Sequence, residues 1–124
     1  MTRVEGLLIK AERSARVARR LVQDGDNDDA CSRAYYAIFD AARAALENQN
    51  RLPGKTHAGV HAAFAETFVK TGQFDRELGK ALGKVENIRL LADYEDGVVG
   101  QDKAEWAVGQ AEDFVRAVRL LLNL

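Results

Sequence analysis

Between Ser32 and Leu46 the chain reads SRAYYAIFDAARAAL, which contains neither glycine nor proline and is rich in alanine. These features predict a long helix, which we place over residues 28–48. Its apolar residues cover two faces: Ala30, Ala34, Ile38, Ala41 and Ala45 lie on one, and Tyr35, Tyr36, Phe39, Ala42 and Leu46 cover much of the rest. A helix that is apolar nearly all round is buried on more than one side, and we interpret the second side as a subunit interface.

The segments that flank this helix predict two more helices. A first helix over residues 2–23 ends at DGDNDD, residues 24–29, where the glycine stops it. The Asp and Asn side chains of that loop are expected to cap the long helix. On the other side, Pro53 and Gly54 mark a turn before a short helix capped by Thr56.

The C-terminal half continues the helical pattern. A helix is predicted over residues 75–95, where Gly79 and Gly83 lie four apart and permit a close helix–helix approach. Asp102 is predicted to cap a last helix that extends to the end of the chain. Four long helices joined by short loops predict an all-α, up-and-down four-helix bundle with a short additional helix, forming a single domain over residues 1–124.

The amino-acid composition and the net charge exclude several classes of protein. Of the 124 residues, 47% are apolar and 30% are charged, and the net charge is −1, so no overall field attracts nucleic acid or a membrane. Cys31 is the sole cysteine, which excludes an intrachain disulfide and indicates an inert core thiol. No long apolar run and no signal-peptide pattern occur, so we expect a cytoplasmic protein without a membrane segment. No cofactor motif is present, and no cofactor is expected.

Like the long helix, two short motifs place polar groups beside apolar positions. They are KTH at residues 55–57 and RLLADY at residues 89–94. In this order, and together with RAYYA at residues 33–37 and Phe39, they resemble HEPN domains, the nucleotide-binding helical domains of prokaryotes and higher eukaryotes. The likeness is to small stand-alone prokaryotic members with Tyr-Tyr-Ala in the second helix and Ala-Asp-Tyr in the fourth, and it covers essentially the whole chain.

This resemblance implies a helical bundle that forms a homodimer. Similar proteins pair with a minimal nucleotidyltransferase encoded nearby, in arrangements that behave as toxin and antitoxin. Members that are ribonucleases carry an arginine followed four to six residues later by a histidine, and two such motifs meet across the dimer to cleave RNA without a metal. Histidine suits this work because its free pKa lies near neutrality, and arginine because its planar charge binds phosphate oxygens.

The chain departs from the ribonuclease pattern after Arg89. Asp93 and Tyr94 stand where the histidine is sought, and residues 90–95 contain no histidine. An ionised aspartate is a weak base and repels phosphate, so the usual mechanism does not carry over. We therefore interpret the protein as a binding module rather than an enzyme. If it is catalytic, the candidates are Arg89, Asp93, Tyr94 and His57, and the activity is that of a ribonuclease.

Arg89 allows two interpretations. It lies four residues before Asp93 on the same helical face, so the two side chains can form an ion pair, with Glu86 as a second partner. Alternatively, Asp93 orients Arg89 to bind phosphate, with Tyr94 as a stacking or hydroxyl partner. In the second interpretation the residues that bind the ligand are Arg33, Tyr36, Lys55 and Arg89.

The histidines and the adjacent tyrosines also have more than one interpretation. His57 and His61 share a helical face, but HAGVH lacks the glutamate of the HExxH metal motif and no third ligand is near in sequence, so no metal site is expected. His57 either caps and packs its helix or contributes to a site beside Arg89. Tyr35 and Tyr36 must point in different directions, one into the core and the other towards an interface or cleft.

Two surface features remain. Basic residues line the side of the first helix opposite its apolar stripe, and we interpret them as a solvated face: Lys10, Arg13, Arg16 and Arg20. Trp106 lies off the apolar stripe of the last helix and indicates a contact surface. The leading hypothesis is a HEPN module that binds a nucleotide or RNA phosphate near Arg89 and acts with a nucleotidyltransferase. The alternatives are a metal-independent ribonuclease toxin with a non-standard site and a purely structural interaction scaffold.

Overall fold

The computed structural model describes residues 1–51, 54, 56–94 and 99–124, and within these ranges the chain is helical and has no strand. In chain order the helices are α1 (Arg3–Gln23), α2 (Asn27–Asn48), α3 (His57–Phe64), α4 (Arg76–Gly79), α5 (Ala81–Tyr94) and α6 (Gln101–Leu122), and a π-helical turn, Ala65–Val69, continues α3. The predicted all-α bundle is confirmed. In the described ranges no helix is both long and apolar enough to cross a membrane.

The first interhelical loop differs from the prediction in how its acidic residues are used. Glycine ends α1 as expected, with Gly25 in the left-handed region at φ 84°. Asp26, at the start of α2, makes no capping hydrogen bond through its side chain. Instead, Asp28 Oδ1 accepts a hydrogen bond from the Val99 amide at 2.8 Å, and Asn27 Nδ2 donates to the Val99 carbonyl at 3.0 Å. The predicted cap is therefore wrong, and these side chains fasten the start of α2 to the segment before α6.

Helix α2 lies at the centre of the molecule. It packs against α1, α3, α5 and α6, and residues on all its sides are fully buried, Tyr35, Ile38 and Leu46 among them. Apart from Tyr36, which is 37% exposed, its apolar surface is therefore covered within one chain. The prediction that its second side forms a subunit interface loses its basis, and homodimer formation stays a prediction.

Aromatic residues close the core at the end of the bundle where α3 and α6 meet. Phe64, Phe68, Phe74 and Phe114 are all buried, and their neighbouring rings have centroids 4.8–5.2 Å apart. Thr56 begins this region as predicted, since its hydroxyl accepts a hydrogen bond from the Gly59 amide at 3.0 Å. The aromatic contacts fix α3, which carries both histidines, against the rest of the bundle.

The helix predicted over residues 75–95 is interrupted at Lys80. The Lys80 amide bonds to the Glu77 carbonyl three residues back, and this tighter turn separates α4 from α5. The prediction of one continuous helix is therefore wrong. The predicted cap of α6 is also displaced: Gly100 occupies the N-cap, and Asp102 lies in the first turn, where its charge favours the helix N-terminus.

The two glycines of this region have different surroundings, and this gives a matched pair of substitutions. A Cβ on Gly79 would lie 2.7 Å from Val69 Cγ2, whereas a Cβ on Gly83 would meet no atom within 4 Å. We expect Gly79→Ala to lower the free energy of unfolding by about 1–3 kcal/mol through overpacking. Gly83→Ala should raise it by about 0.5–1 kcal/mol, because alanine favours the helix. Urea unfolding measures both, and a change of the same sign in the two variants would contradict the close approach at Gly79.

Candidate functional site

Three helices bring polar side chains to one place beside the core. Helix α2 contributes two tyrosines, α3 two histidines, and α5 a glutamate and an arginine. We call this group the Tyr35 cluster, and its members are Tyr35, Tyr36, His57, His61, Glu86 and Arg89. The helical spacing explains each pair, because His57 and His61 are one turn apart on α3, as are Glu86 and Arg89 on α5.

The hydroxyl of Tyr35 is the centre of the cluster. It lies 2.8 Å from His57 Nδ1 and 3.0 Å from His61 Nε2, and it donates to Glu86 Oε2 at 3.0 Å. His57 Nδ1 is also 3.3 Å from Glu86 Oε2. The Tyr35 side chain is fully buried, so its hydroxyl reaches partners only among these residues in the described part of the chain. This is a hydrogen-bond network that spans α2, α3 and α5.

Burial controls the protonation of this network. Desolvation raises the pKa of Tyr35 well above its ordinary value, and the hydrogen bond to Glu86 adds to the effect, so Tyr35 remains a neutral hydroxyl. Desolvation also lowers the pKa of His61, with Glu86 opposing the shift and His57 adding to it. His61 is therefore neutral at neutral pH.

Arg89 lies over the tyrosine rings beside this network. Its Cζ is 4.9 Å from the centroid of the Tyr35 ring and 5.6 Å from that of Tyr36. The side chain is 14% exposed and makes one long ion pair, Nη1 to Asp93 Oδ2 at 3.3 Å. Its Nε is buried and has no hydrogen-bond partner within the described ranges. The guanidinium thus retains unused donors.

The ion pair predicted between Arg89 and Asp93 is confirmed, but the second partner proposed for Arg89 is wrong. Glu86 bonds to Tyr35 and His57 and forms no salt bridge with Arg89 among the residues described. The reason is that the carboxylate of Glu86 points towards α3, where two histidines and a buried hydroxyl are available. Only the fold could reveal this, because Glu86 is 29 residues from His57.

Of the other residues predicted for the site, Tyr36 and His57 lie in the Tyr35 cluster and Arg33 does not. Tyr36 is 37% exposed and borders Arg89, as expected for the tyrosine that faces a cleft. His57 packs on Phe39 with ring centroids 4.5 Å apart and stays partly exposed. Arg33 is exposed on α2 and makes no side-chain hydrogen bond or salt bridge in the described part of the chain. Lys55 and the side chain of Tyr94 lie outside the described residues.

Sequence reasoning did not find Glu86 or His61 as members of this site. The one available signal was the four-residue spacing of the histidines, which was considered only as a metal motif. Within the ranges that the structure describes, no three His, Cys, Asp or Glu side chains are placed to hold a metal ion. The histidines and Glu86 converge on a hydroxyl group.

Other features singled out in the sequence lie away from the cluster. The predicted basic face of α1 is exposed at Lys10, Arg13, Arg16 and Arg20, and the neighbouring Arg19 pairs with Glu105 and Glu112 of α6 at 2.7 Å each. Trp106 is 40% exposed, in agreement with a contact surface. Cys31 is buried, and desolvation raises the pKa of its thiol to about 11, in keeping with the inert role predicted for it.

Comparison with known proteins finds similar chains from archaea and bacteria. The family model of the HEPN domain matches residues 4–121. "Putative toxin MJ0605" of Methanocaldococcus jannaschii is 35% identical over 120 residues, covering 97% of this chain and 89% of that protein. "Putative toxin MJ0142" of the same organism is 32% identical over 120 residues, with 96% and 81% covered. A "UPF0332 protein" of Thermotoga maritima is 34% identical over 108 residues, with 86% and 80% covered.

Proposed function

The chain belongs to the HEPN domain family, and on this basis we propose that it binds a phosphate group of RNA or of a nucleotide at Arg89. We further propose that it does so as one member of a toxin–antitoxin-like pair with a minimal nucleotidyltransferase. The names of two archaeal relatives, which contain the word toxin, support a toxin-like role, and the nucleotidyltransferase partner is what the family resemblance implies. The single observation that supports the first is a guanidinium whose Cζ lies 4.9 and 5.6 Å from the centroids of two tyrosine rings, with most of its donors unused in the described ranges.

The chemistry of Arg89 favours a phosphate ligand. Guanidinium has five N–H donors in a planar fork that matches phosphate oxygens, and here only one is engaged, at 3.3 Å, in the described ranges. Cation–π contacts with the Tyr35 and Tyr36 rings restrict the position of the guanidinium, which reduces the entropy lost when it binds. Asp93 is 54% exposed and its contact with Nη1 is long, at 3.3 Å, so a phosphate can replace it as the partner of Nη1.

Groups near Arg89 can contact the parts of a nucleotide other than its phosphate. Tyr36 presents a partly exposed ring beside the guanidinium, and an exposed aromatic face can stack a base. Leu91, on the same helix, is 54% exposed and leaves an apolar side chain on the surface of α5. A second subunit or the nucleotidyltransferase would cover this surface, in line with the proposed homodimer and heteromeric pair.

Arg89→Ala tests the proposed site directly. We expect the affinity for a short single-stranded RNA to fall at least about tenfold, because hydrogen bonds to charged groups contribute roughly 1.5–3 kcal/mol each. Fluorescence anisotropy at fixed salt measures the affinity, and ATP in place of RNA distinguishes a free nucleotide from a polynucleotide. Arg89→Lys should lie between the wild type and Arg89→Ala, because it keeps the charge without the planar fork.

Arg116→Ala is the matched control for this experiment. Arg116 also pairs with a carboxylate on its own helix, Asp113 at 3.2 Å, but it lies on α6 and contacts no member of the Tyr35 cluster. Its removal should leave the affinity unchanged. Equal affinities in the wild type and in folded Arg89→Ala would refute phosphate binding at Arg89, and a lower melting temperature alongside them would support the structural scaffold.

A further inference from the structure

A surface groove where α4, α5 and α6 meet is separate from the Tyr35 cluster. Its volume is about 410 Å³, and no member of the cluster lines it. We call it the Trp106 groove. Its lining residues include Asp75, Glu77, Lys84, Trp106, Gln110 and Asp113.

Trp106 supplies the aromatic ring of the groove. It is 40% exposed, whereas the next two residues of α6, Ala107 and Val108, are fully buried in the core. A tryptophan that the core leaves partly exposed is typical of an interface, because its large ring gains much when a partner covers it. Indole is also the aromatic group that attracts a cation most strongly.

The charged groups that line the groove are mainly acidic. Asp75, Glu77 and Asp113 contribute three carboxylates, and Lys84 contributes the one ammonium group among the described lining residues. An excess of negative charge repels the phosphates of nucleic acid and attracts a cationic group. The groove is therefore complementary to a basic ligand.

Each of the three carboxylates has one oxygen that a neighbour engages. Asp75 Oδ2 accepts a hydrogen bond at 2.8 Å from the amide that it caps. Glu77 Oε1 lies 3.0 Å from Lys80 Nζ. Asp113 Oδ1 lies 3.2 Å from Arg116 Nη1. The second oxygen of each makes no hydrogen bond in the described ranges, and because both ion pairs are exposed, a new cation can compete with them.

We propose that the Trp106 groove binds an arginine-containing segment of a partner protein. The guanidinium lies against the indole of Trp106 and pairs with the carboxylates around it. Arginine fits better than lysine, because its planar group stacks on aromatic rings and its N–H fork binds carboxylates in pairs. The inference does not depend on phosphate binding at Arg89, which lies outside the groove.

The test uses the only tryptophan of the chain as its reporter. The probe is a ten-residue peptide of glycine and serine that carries three arginines, and the controls carry lysine or glutamate instead. The unlabelled arginine peptide should change the emission of Trp106 in a saturable manner. With a labelled peptide, fluorescence anisotropy should show an affinity about threefold or more above that of the lysine peptide, and no binding of the glutamate peptide.

Variants with opposite expected effects distinguish this site from general charge attraction. Asp113→Asn should lower the affinity for the arginine peptide about threefold, and Lys84→Gln should raise it by about the same factor. Trp106→Ala should lower it about fivefold, with Trp106→Leu as the second variant if circular dichroism shows that Trp106→Ala is not folded. Glu66→Gln is the matched control, since it removes a charge from an exposed residue that does not line the groove, and it should leave the affinity unchanged.

Several results would overturn the inference. They are an unchanged Trp106 emission with the arginine peptide, an unchanged affinity in folded Asp113→Asn, and an equal loss in Glu66→Gln. A dimer detected by light scattering that Trp106→Ala abolishes would show that a second copy of the chain occupies the groove instead. Quenching of Trp106 by RNA but not by the peptide would show that the groove binds nucleic acid.

Discussion

Tyr35→Phe is expected to lower the free energy of unfolding by about 1–3 kcal/mol, because it leaves buried polar atoms without their partner. The lost hydroxyl joins His57, His61 and Glu86 at 2.8–3.0 Å, and the residue is fully buried. The ring remains, so Arg89 keeps its aromatic support and RNA binding should be retained. Urea unfolding and fluorescence anisotropy with RNA measure the two effects.

Tyr36→Phe is the matched control, since it removes the same atom from the next residue. Tyr36 is 37% exposed, and its hydroxyl makes no hydrogen bond within the described residues, so the stability should change by no more than about 0.5 kcal/mol. If the two variants were equally stable, the network around Tyr35 would not be a structural element of the fold.

Phe114→Ala should have the largest effect on stability, about 3–5 kcal/mol, because it empties the aromatic end of the core. Phe114 is fully buried on α6, with its ring centroid 5.2 Å from that of Phe64 and 4.8 Å from that of Phe74. Truncation loses the free energy gained when the ring is transferred from water into the core. It also leaves a cavity that the neighbouring aromatic rings fill only in part. The midpoint of urea unfolding should fall with an unchanged slope.

Leu120→Ala, also on α6, provides the comparison for this variant. Leu120 is 73% exposed, so its truncation should change the stability by about 0.5 kcal/mol or less. A midpoint for Phe114→Ala close to that of Leu120→Ala would show that the aromatic contacts between α3 and α6 do not stabilise the protein.

The helices could be predicted because their signals are local. The alanine-rich segment from Ser32 to Leu46, the Thr56 cap and the Gly25 stop all act within a few residues, and each is present in the structure. The predictions that were wrong share one cause, which is contact between segments that lie far apart in the sequence. Asp28 bonds to the Val99 amide instead of capping α2, and all of the apolar surface of α2 except Tyr36 is covered by the chain's own helices.

The sequence by itself determined the fold and one half of the candidate site. It identified Arg89, its ion pair with Asp93 and the different directions of Tyr35 and Tyr36, because helical periodicity fixes such relations over one turn. The tertiary structure alone decided that Glu86 faces His57 and that a buried hydroxyl joins both histidines to this carboxylate. These groups lie on three helices, and no spacing along the chain encodes how α2, α3 and α5 are rotated against one another. That rotation is set by the packing of the whole core, and it is what brings the two histidines and Glu86 to the hydroxyl of Tyr35.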